Sequence, residues 1–182
     1  MMDFVGTDIE GAYAVRLDVR GDARGRFKRH FCKRAFAEAG LATEFVQMNH
    51  SVTMDRGAIR GMHYQRPPAA EDKLVSCVLG RAFDVAVDLR RGSPTFLRWA
   101  PVEIDERTSF YIPKGCAHGF QALTGDVHLV YLHSEYYTPE TEGGVRFDDP
   151  ALAIEWPLPI GVTSERDRSF PLLAPGYEGL DL

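Results

Sequence analysis

The clearest alternation of apolar and polar positions runs over residues 82–89. Phe83, Val85, Val87 and Leu89 fall on one side and Asp84 and Asp88 on the other, the two-residue period of a β-strand. Residues 127–133 alternate as well: Val127, Leu129, Tyr131 and His133 share a parity opposite His128, Val130 and Leu132, and both faces suit burial or the lining of a cavity. Shorter apolar runs at 45–47, 74–79, 96–104 and 109–112 predict further strands, and 90–94, RRGSP, predicts a turn. One segment has helical character, residues 33–39, where Ala35, Phe36 and Ala39 could share a face and Gly40 supplies a stop. Past Trp156, prolines at 157, 159, 171 and 175 break every period, so an ordered loop or tail is expected there. Many short strands between evenly spread glycines and prolines describe a mainly β domain of the sandwich, jelly-roll or barrel kind.

Composition narrows this picture. A chain of 182 residues, 45% apolar and 26% charged, can bury one full core, so a single domain over 1–182 is expected and whole-chain disorder is excluded. No stretch free of Asp, Glu, Lys and Arg reaches the ~18 residues of a membrane helix, and MMDFVGTDIEG lacks a basic start followed by an apolar run. A cytoplasmic location without membrane contact is therefore expected. Cys32, Cys77 and Cys116 are odd in number and form no CxxC pair, which fits a reducing compartment better than a disulfide framework or structural zinc. A net charge of −5 argues against a nucleic-acid partner, while a local basic pocket for a small phosphate ligand remains compatible.

Titratable residues concentrate at DARGRF (22–27), RGMHYQ (60–65), PKGCAHGF (113–120) and SERD (164–167). By residue type alone His63 reads as an ordinary hydrogen-bonded or surface histidine, Tyr131 as a core tyrosine and Lys73 as a solvated loop lysine. Histidines in a jelly roll raise the cupin comparison. Gly57 and His63 match the start of the first cupin motif, and Pro113, Gly115 and His118 match the second. Gln65, Ala69 and Ala70 stand where further ligands would be, leaving two imidazoles, a poor set for zinc or iron. The pocket is read as metal-free and without a cofactor.

A closer resemblance follows from ordered blocks: Asp22-x-Arg24-Gly25-x-Phe27, Gln47-x-Asn49-x-Ser51, Arg60-Gly61-Met62-His63-Tyr64-Gln65, Lys73-Leu74-Val75, 84–90 DVAVDLR, 92–96 GSPTF, 112–120 IPKGCAHGF and Glu155-Trp156-Pro157. Together they resemble the dTDP-4-dehydrorhamnose 3,5-epimerase family over about residues 5–175. The resemblance implies a cupin-like double-stranded β-helix and a metal-independent epimerase of a nucleotide-diphospho-4-keto-6-deoxy sugar. Such chemistry needs a base for the proton next to the ketone, a group opposing the enolate charge, and an acid on the other face. By similarity His63 is the base, Asp167 its carboxylate partner, Tyr131 the donor and Lys73 the cation near the C4 oxygen. Arg24, Arg60 and His118 resemble diphosphate and sugar contacts, Phe27 and Tyr137 could stack on the base, and Gln47, Asn49, Glu142 and Arg166 match other binding positions. Taken singly, the arginines read more often as surface charges, His118 as readily as a turn histidine, and Phe27 and Tyr137 more simply as core residues.

Two positions depart from the family pattern: Arg29 stands where a nucleotide-contacting glutamate is usual, and Leu97 where a glycine is usual. If Arg29 faced the base, a CDP sugar would fit better than a dTDP sugar. The resemblance also implies a homodimer with exchanged N-terminal strands, to which Arg24 and Phe27 could contribute across subunits. Competing readings are a 3- or 5-mono-epimerase, a ketoisomerase on the same substrate class, a metal-dependent cupin, and a non-catalytic sugar-nucleotide binding module.

Overall fold

The structure, a computed structural model, describes residues 2–182. In chain order the elements are β1 (Asp3–Gly6), β2 (Tyr13–Arg16), β3 (Val19–Asp22), β4 (Gly25–Lys28), α1 (Lys33–Glu38), β5 (Gln47–Thr53), β6 (Ile59–Gln65) and β7 (Lys73–Leu79). They continue with β8 (Ala82–Asp88), β9 (Trp99–Ile104), β10 (Thr108–Ile112), β11 (Cys116–Ala122), β12 (Val127–His133), β13 (Glu142–Gly144) and α2 (Glu165–Ser169). A six-stranded sheet, β1-β2-β10-β7-β12-β5, faces a five-stranded sheet, β13-β6-β11-β8-β9, and β3 with β4 makes a separate hairpin. Pairing within the sheets is antiparallel, the jelly-roll arrangement of a cupin-like double-stranded β-helix.

Apolar side chains are buried in three places because the sheets are covered outside as well as filled between. Between them lie Val75, Ala86, Ile104, Phe110, Phe120 and Leu129. Outside the five-stranded sheet, Met62, Val85, Val87 and Leu89 pack under Trp156, Leu173, Tyr177 and Leu180 of the proline-rich segment, which is thereby held against the barrel. Outside the six-stranded sheet, α1 buries Phe36 among Phe4, Phe31, Phe45 and Tyr111. Emptying the Phe36 site would cost about 3–5 kcal/mol.

Several elements differ from expectation for identifiable reasons. In β8, Asp84 and Asp88 are as buried as the apolar face, because one sheet surface meets the core and cavity and the other meets the C-terminal segment. The run at 45–47 enters its strand only at Gln47, and the run at 96–104 only at Trp99, because Phe96 and Leu97 belong to the preceding turn. Leu97 has φ 61°, the left-handed region that glycine favours, which accounts for a glycine being usual at that position. Periodicity does not anticipate strands β1–β4, β6, β11 and β13 or the short helix α2.

Candidate active site

Strand β6 carries the first wall of a cavity of about 740 Å³ that opens between the two sheets. Met62 packs into the outer apolar cluster, Ile59 and Tyr64 join that cluster while also reaching the cavity, and Arg60, His63 and Gln65 line the cavity. Strict alternation cannot put both Arg60 and His63 inward. The register between β6 and β11 shifts between the pairs His118↔His63 and Phe120↔Arg60, which adds one residue to β6. Gly61 occupies that bulge at φ 117°, and a Cβ there would lie 2.5 Å from Gly119 Cα and 2.7 Å from the His118 carbonyl. Only glycine fits, so the bulge, the close strand approach and the placement of His63 depend on one residue.

The bulge also frees a backbone donor. Gly61 N–H reaches Asp167 Oδ2 at 3.1 Å while His63 Nε2 lies 2.7 Å from Oδ1 of the same carboxylate. Asp167 sits in α2, whose N-cap Ser164 accepts from the Asp167 N–H at 3.0 Å. Burial pushes the Asp167 carboxyl up, but the His63 hydrogen bond and charge, helped by Gly61, hold it below the ordinary range. An ionised carboxylate only accepts, so it keeps the proton on Nε2 and leaves Nδ1 with its lone pair.

The opposite wall belongs to the six-stranded sheet. Tyr131 on β12 faces the same cavity, its hydroxyl 2.9 Å from Ser51 Oγ on β5. Burial raises the phenol well above its ordinary value, against the pull of Ser51. His118 connects the walls: it is the register partner of His63, and its ring meets that of Tyr131 edge-on at 5.9 Å. Its Nε2 is 2.5 Å from Asp84 Oδ1, and Asp84 Oδ2 is buried with no hydrogen-bond partner. Burial pushes Asp84 up, opposed by His118.

Deeper in, Lys73 Nζ is 2.7 Å and His133 Nδ1 2.8 Å from the Glu71 carboxylate. Burial pushes Glu71 up, yet these two partners hold it below the ordinary range. At the mouth, Glu142 pairs with Arg166 and accepts from Tyr137 at 2.9 Å, and Arg60 is tied to Thr53 Oγ1 and the Val52 carbonyl at 2.9 Å each. Among the described residues no group of three His, Cys, Asp or Glu side chains could hold a metal ion.

An imidazole–carboxylate pair from one sheet and a phenol from the other, lining one sugar-sized cavity, fit proton removal on one side and return on the other. Comparison with known proteins bears on this directly. Residues 6–175 match the family model described as dTDP-4-dehydrorhamnose 3,5-epimerase. The chain belongs to that family.

The epimerase of that name from Shigella flexneri is 40% identical over 169 residues, covering 91% of this chain and 93% of its own length. A dTDP-4-dehydrorhamnose 3-epimerase from Streptomyces niveus is 42% identical over 169 residues, covering 91% and 81%. The crystal structure of the Legionella pneumophila 3,5-epimerase in complex with dTDP-4-keto-L-rhamnose is similar at a TM-score of 0.92 and 37% identity, covering 100% of this chain and 99% of that one. This chain is thus an epimerase, an isomerase acting on a sugar.

Of the residues this epimerase's sequence singled out, His63, Tyr131, Asp167, Lys73, Asn49, Arg60, His118, Tyr137, Glu142 and Arg166 line the one cavity. Gln47 stands at its margin, joined to Asn49 at 3.3 Å and accepting from the Tyr137 N–H at 3.2 Å. Arg24, Phe27 and Arg29 lie outside it. Arg24 and Phe27 sit on the exposed β3–β4 hairpin, where Arg24 pairs with Asp22 and Phe27 is 67% exposed, and Arg29 follows just beyond, also exposed. Lys73 is buried rather than solvated, and Phe27 and Tyr137 are exposed rather than core. Ser51, Glu71, Asp84 and His133 were missed. His133 had a signal, sharing the parity of Val127, Leu129 and Tyr131, whereas Asp84 lies on the side of its strand that reads as polar and had none.

Proposed function

We propose that this epimerase acts on a dTDP-linked 4-keto-6-deoxyglucose, with His63 as the base and Tyr131 as the acid. The observation that supports it is that these groups come from opposing sheets and line one and the same cavity. His63 Nδ1 takes the proton from a carbon next to the C4 ketone, and Asp167 stabilises the imidazolium that forms. The electron pair moves onto the C4 oxygen, where the Lys73 ammonium, paired with the Glu71 carboxylate at 2.7 Å, opposes the developing charge. Tyr131 then gives its proton to the same carbon from the opposite face. Arg60, His118 and Arg166 serve the diphosphate and sugar, Asn49, Gln47 and Glu142 hydrogen-bond the ligand, and Tyr137, 52% exposed at the mouth, stacks on the base.

We read the chain as one domain over 1–182 that works as a cytoplasmic homodimer. The β3–β4 hairpin pairs with neither sheet, which supports a reading in which Arg24, Phe27 and Arg29 enter a partner's cavity. Exposed Met48 and Val52 on edge strand β5 add apolar surface for such a contact. Three free cysteines fit a reducing compartment, and no helix among the described residues is long and apolar enough to cross a membrane. Relatives named 3,5- and 3-epimerase are about equally similar, at 40% and 42% identity, and the two activities differ in the number of carbons exchanged. Incubation of dTDP-4-keto-6-deoxyglucose in heavy water, with deuterons located by NMR, should show incorporation at C3 and C5. Incorporation at one carbon would define a mono-epimerase, exclusive turnover of the CDP sugar would move the Arg29 side chain to the base, and none with either nucleotide would refute the enzyme's proposed substrate.

A further inference from the structure

Tyr131 has one proton to give, and the direction of its hydrogen bond with Ser51 decides where that proton points. If the phenol donated to Ser51 Oγ, its O–H would aim at β5 and away from a ring in the cavity. If Ser51 donates, the phenol hydrogen is free to face the substrate. The 2.9 Å contact allows either sense in the resting site, but only the second survives the reaction, because a phenolate accepts and cannot donate. On transfer, a neutral hydrogen bond becomes a charge-assisted one in a buried setting, so it strengthens in the transition state, which is what acceleration of the chemical step requires.

Resting on the donor reading of Tyr131, we propose that Ser51 is a positioning residue that donates its hydroxyl proton to Tyr131 Oη, aims the phenol at the sugar and steadies the phenolate left after transfer. Strand β5 is suited to this role. It is the sheet's edge, it turns Asn49, Ser51 and Thr53 into the cavity, and its pairing with β12 sets Ser51 diagonally beside Tyr131. Burial otherwise disfavours a phenolate here, and Ser51 is the group that works in the opposite direction by hydrogen bond.

The test compares Ser51→Ala, Ser51→Thr and Tyr131→Phe on dTDP-4-keto-6-deoxyglucose in heavy water, following deuterium incorporation and inversion separately. His63 can return a deuteron to the face it came from, so exchange with retained configuration reports the base alone. Ser51→Ala should lower the kcat for inversion on the order of tenfold to a hundredfold, with KM and retained-configuration exchange little changed. Ser51→Thr, which keeps the hydroxyl, should restore most of the inversion. Inversion at the parent rate in Ser51→Ala, equal losses in the alanine and threonine variants, or loss of exchange along with inversion would each overturn the assignment. Unimpaired inversion by Tyr131→Phe would instead refute the donor reading on which it stands.

Discussion

Two histidine–aspartate pairs share the cavity, and their surroundings set them apart. Asp167 accepts from His63 and from the Gly61 N–H, and its charge is held below the ordinary range. Asp84 is fully buried, keeps one oxygen without a partner, and is pushed upward. The same two residue types therefore give a firm anion in one place and a reluctant one in the other. A firm anion can support an imidazolium during proton abstraction, whereas the second pair is better suited to fixing a ring in position. Exposure points the same way, with the His63 side chain 34% accessible and that of His118 7%.

The contrast can be broken most severely at the base. His63→Ala should reduce both deuterium exchange and epimerisation roughly a thousandfold or more, whereas residual exchange near the parent rate would show that another group abstracts the proton. Asp167→Asn should follow, lowering kcat on the order of a thousandfold, against about tenfold for Asp84→Asn. Equal losses in the two variants, read by steady-state kinetics, would erase the distinction. Gly61→Ala places a methyl against Gly119 and the His118 carbonyl, so thermal or denaturant unfolding should show about 1–3 kcal/mol of lost stability, together with reduced activity.

The smallest effect concerns pH. Because the folded-state values of Asp167 and Glu71 are depressed, their stabilising contribution is present above about pH 4 and fades as pH falls through the folded-state values. The gap in melting temperature between the parent and Asp167→Asn should therefore hold from pH 5 to 8 and shrink below about pH 4. A gap that widens on acidification would reverse the assigned direction.

What could be read in advance followed the physics of burial. Strand β12 was legible because Val127 and Leu129 bury into the core, and α1 because Phe36 and Gly40 mark its packed face and its end. Strand β5 was not, since Asn49, Ser51 and Thr53 turn polar groups inward to line a cavity while Met48 and Val52 turn apolar ones out. Strand β11 is buried along its whole length, which hides alternation. Helix α2 is five residues long, too short to show a period, yet it carries Asp167. The site's main residues were named through ordered motifs rather than periodicity, and no motif reports that Ser51 touches Tyr131. Arg24 and Phe27 lie on the β3–β4 hairpin and Arg29 just beyond it, all exposed and outside the cavity, so the motif that named them has no counterpart in the burial of this chain.

The central claim is geometric, and a crystal structure with a dTDP-4-keto-6-deoxy sugar bound tests it most directly. The account predicts a ring carbon next to C4 within about 3–3.5 Å of His63 Nδ1 on one face and Tyr131 Oη on the other. Both groups on the same face of the ring, or either turned away from it, would contradict the account.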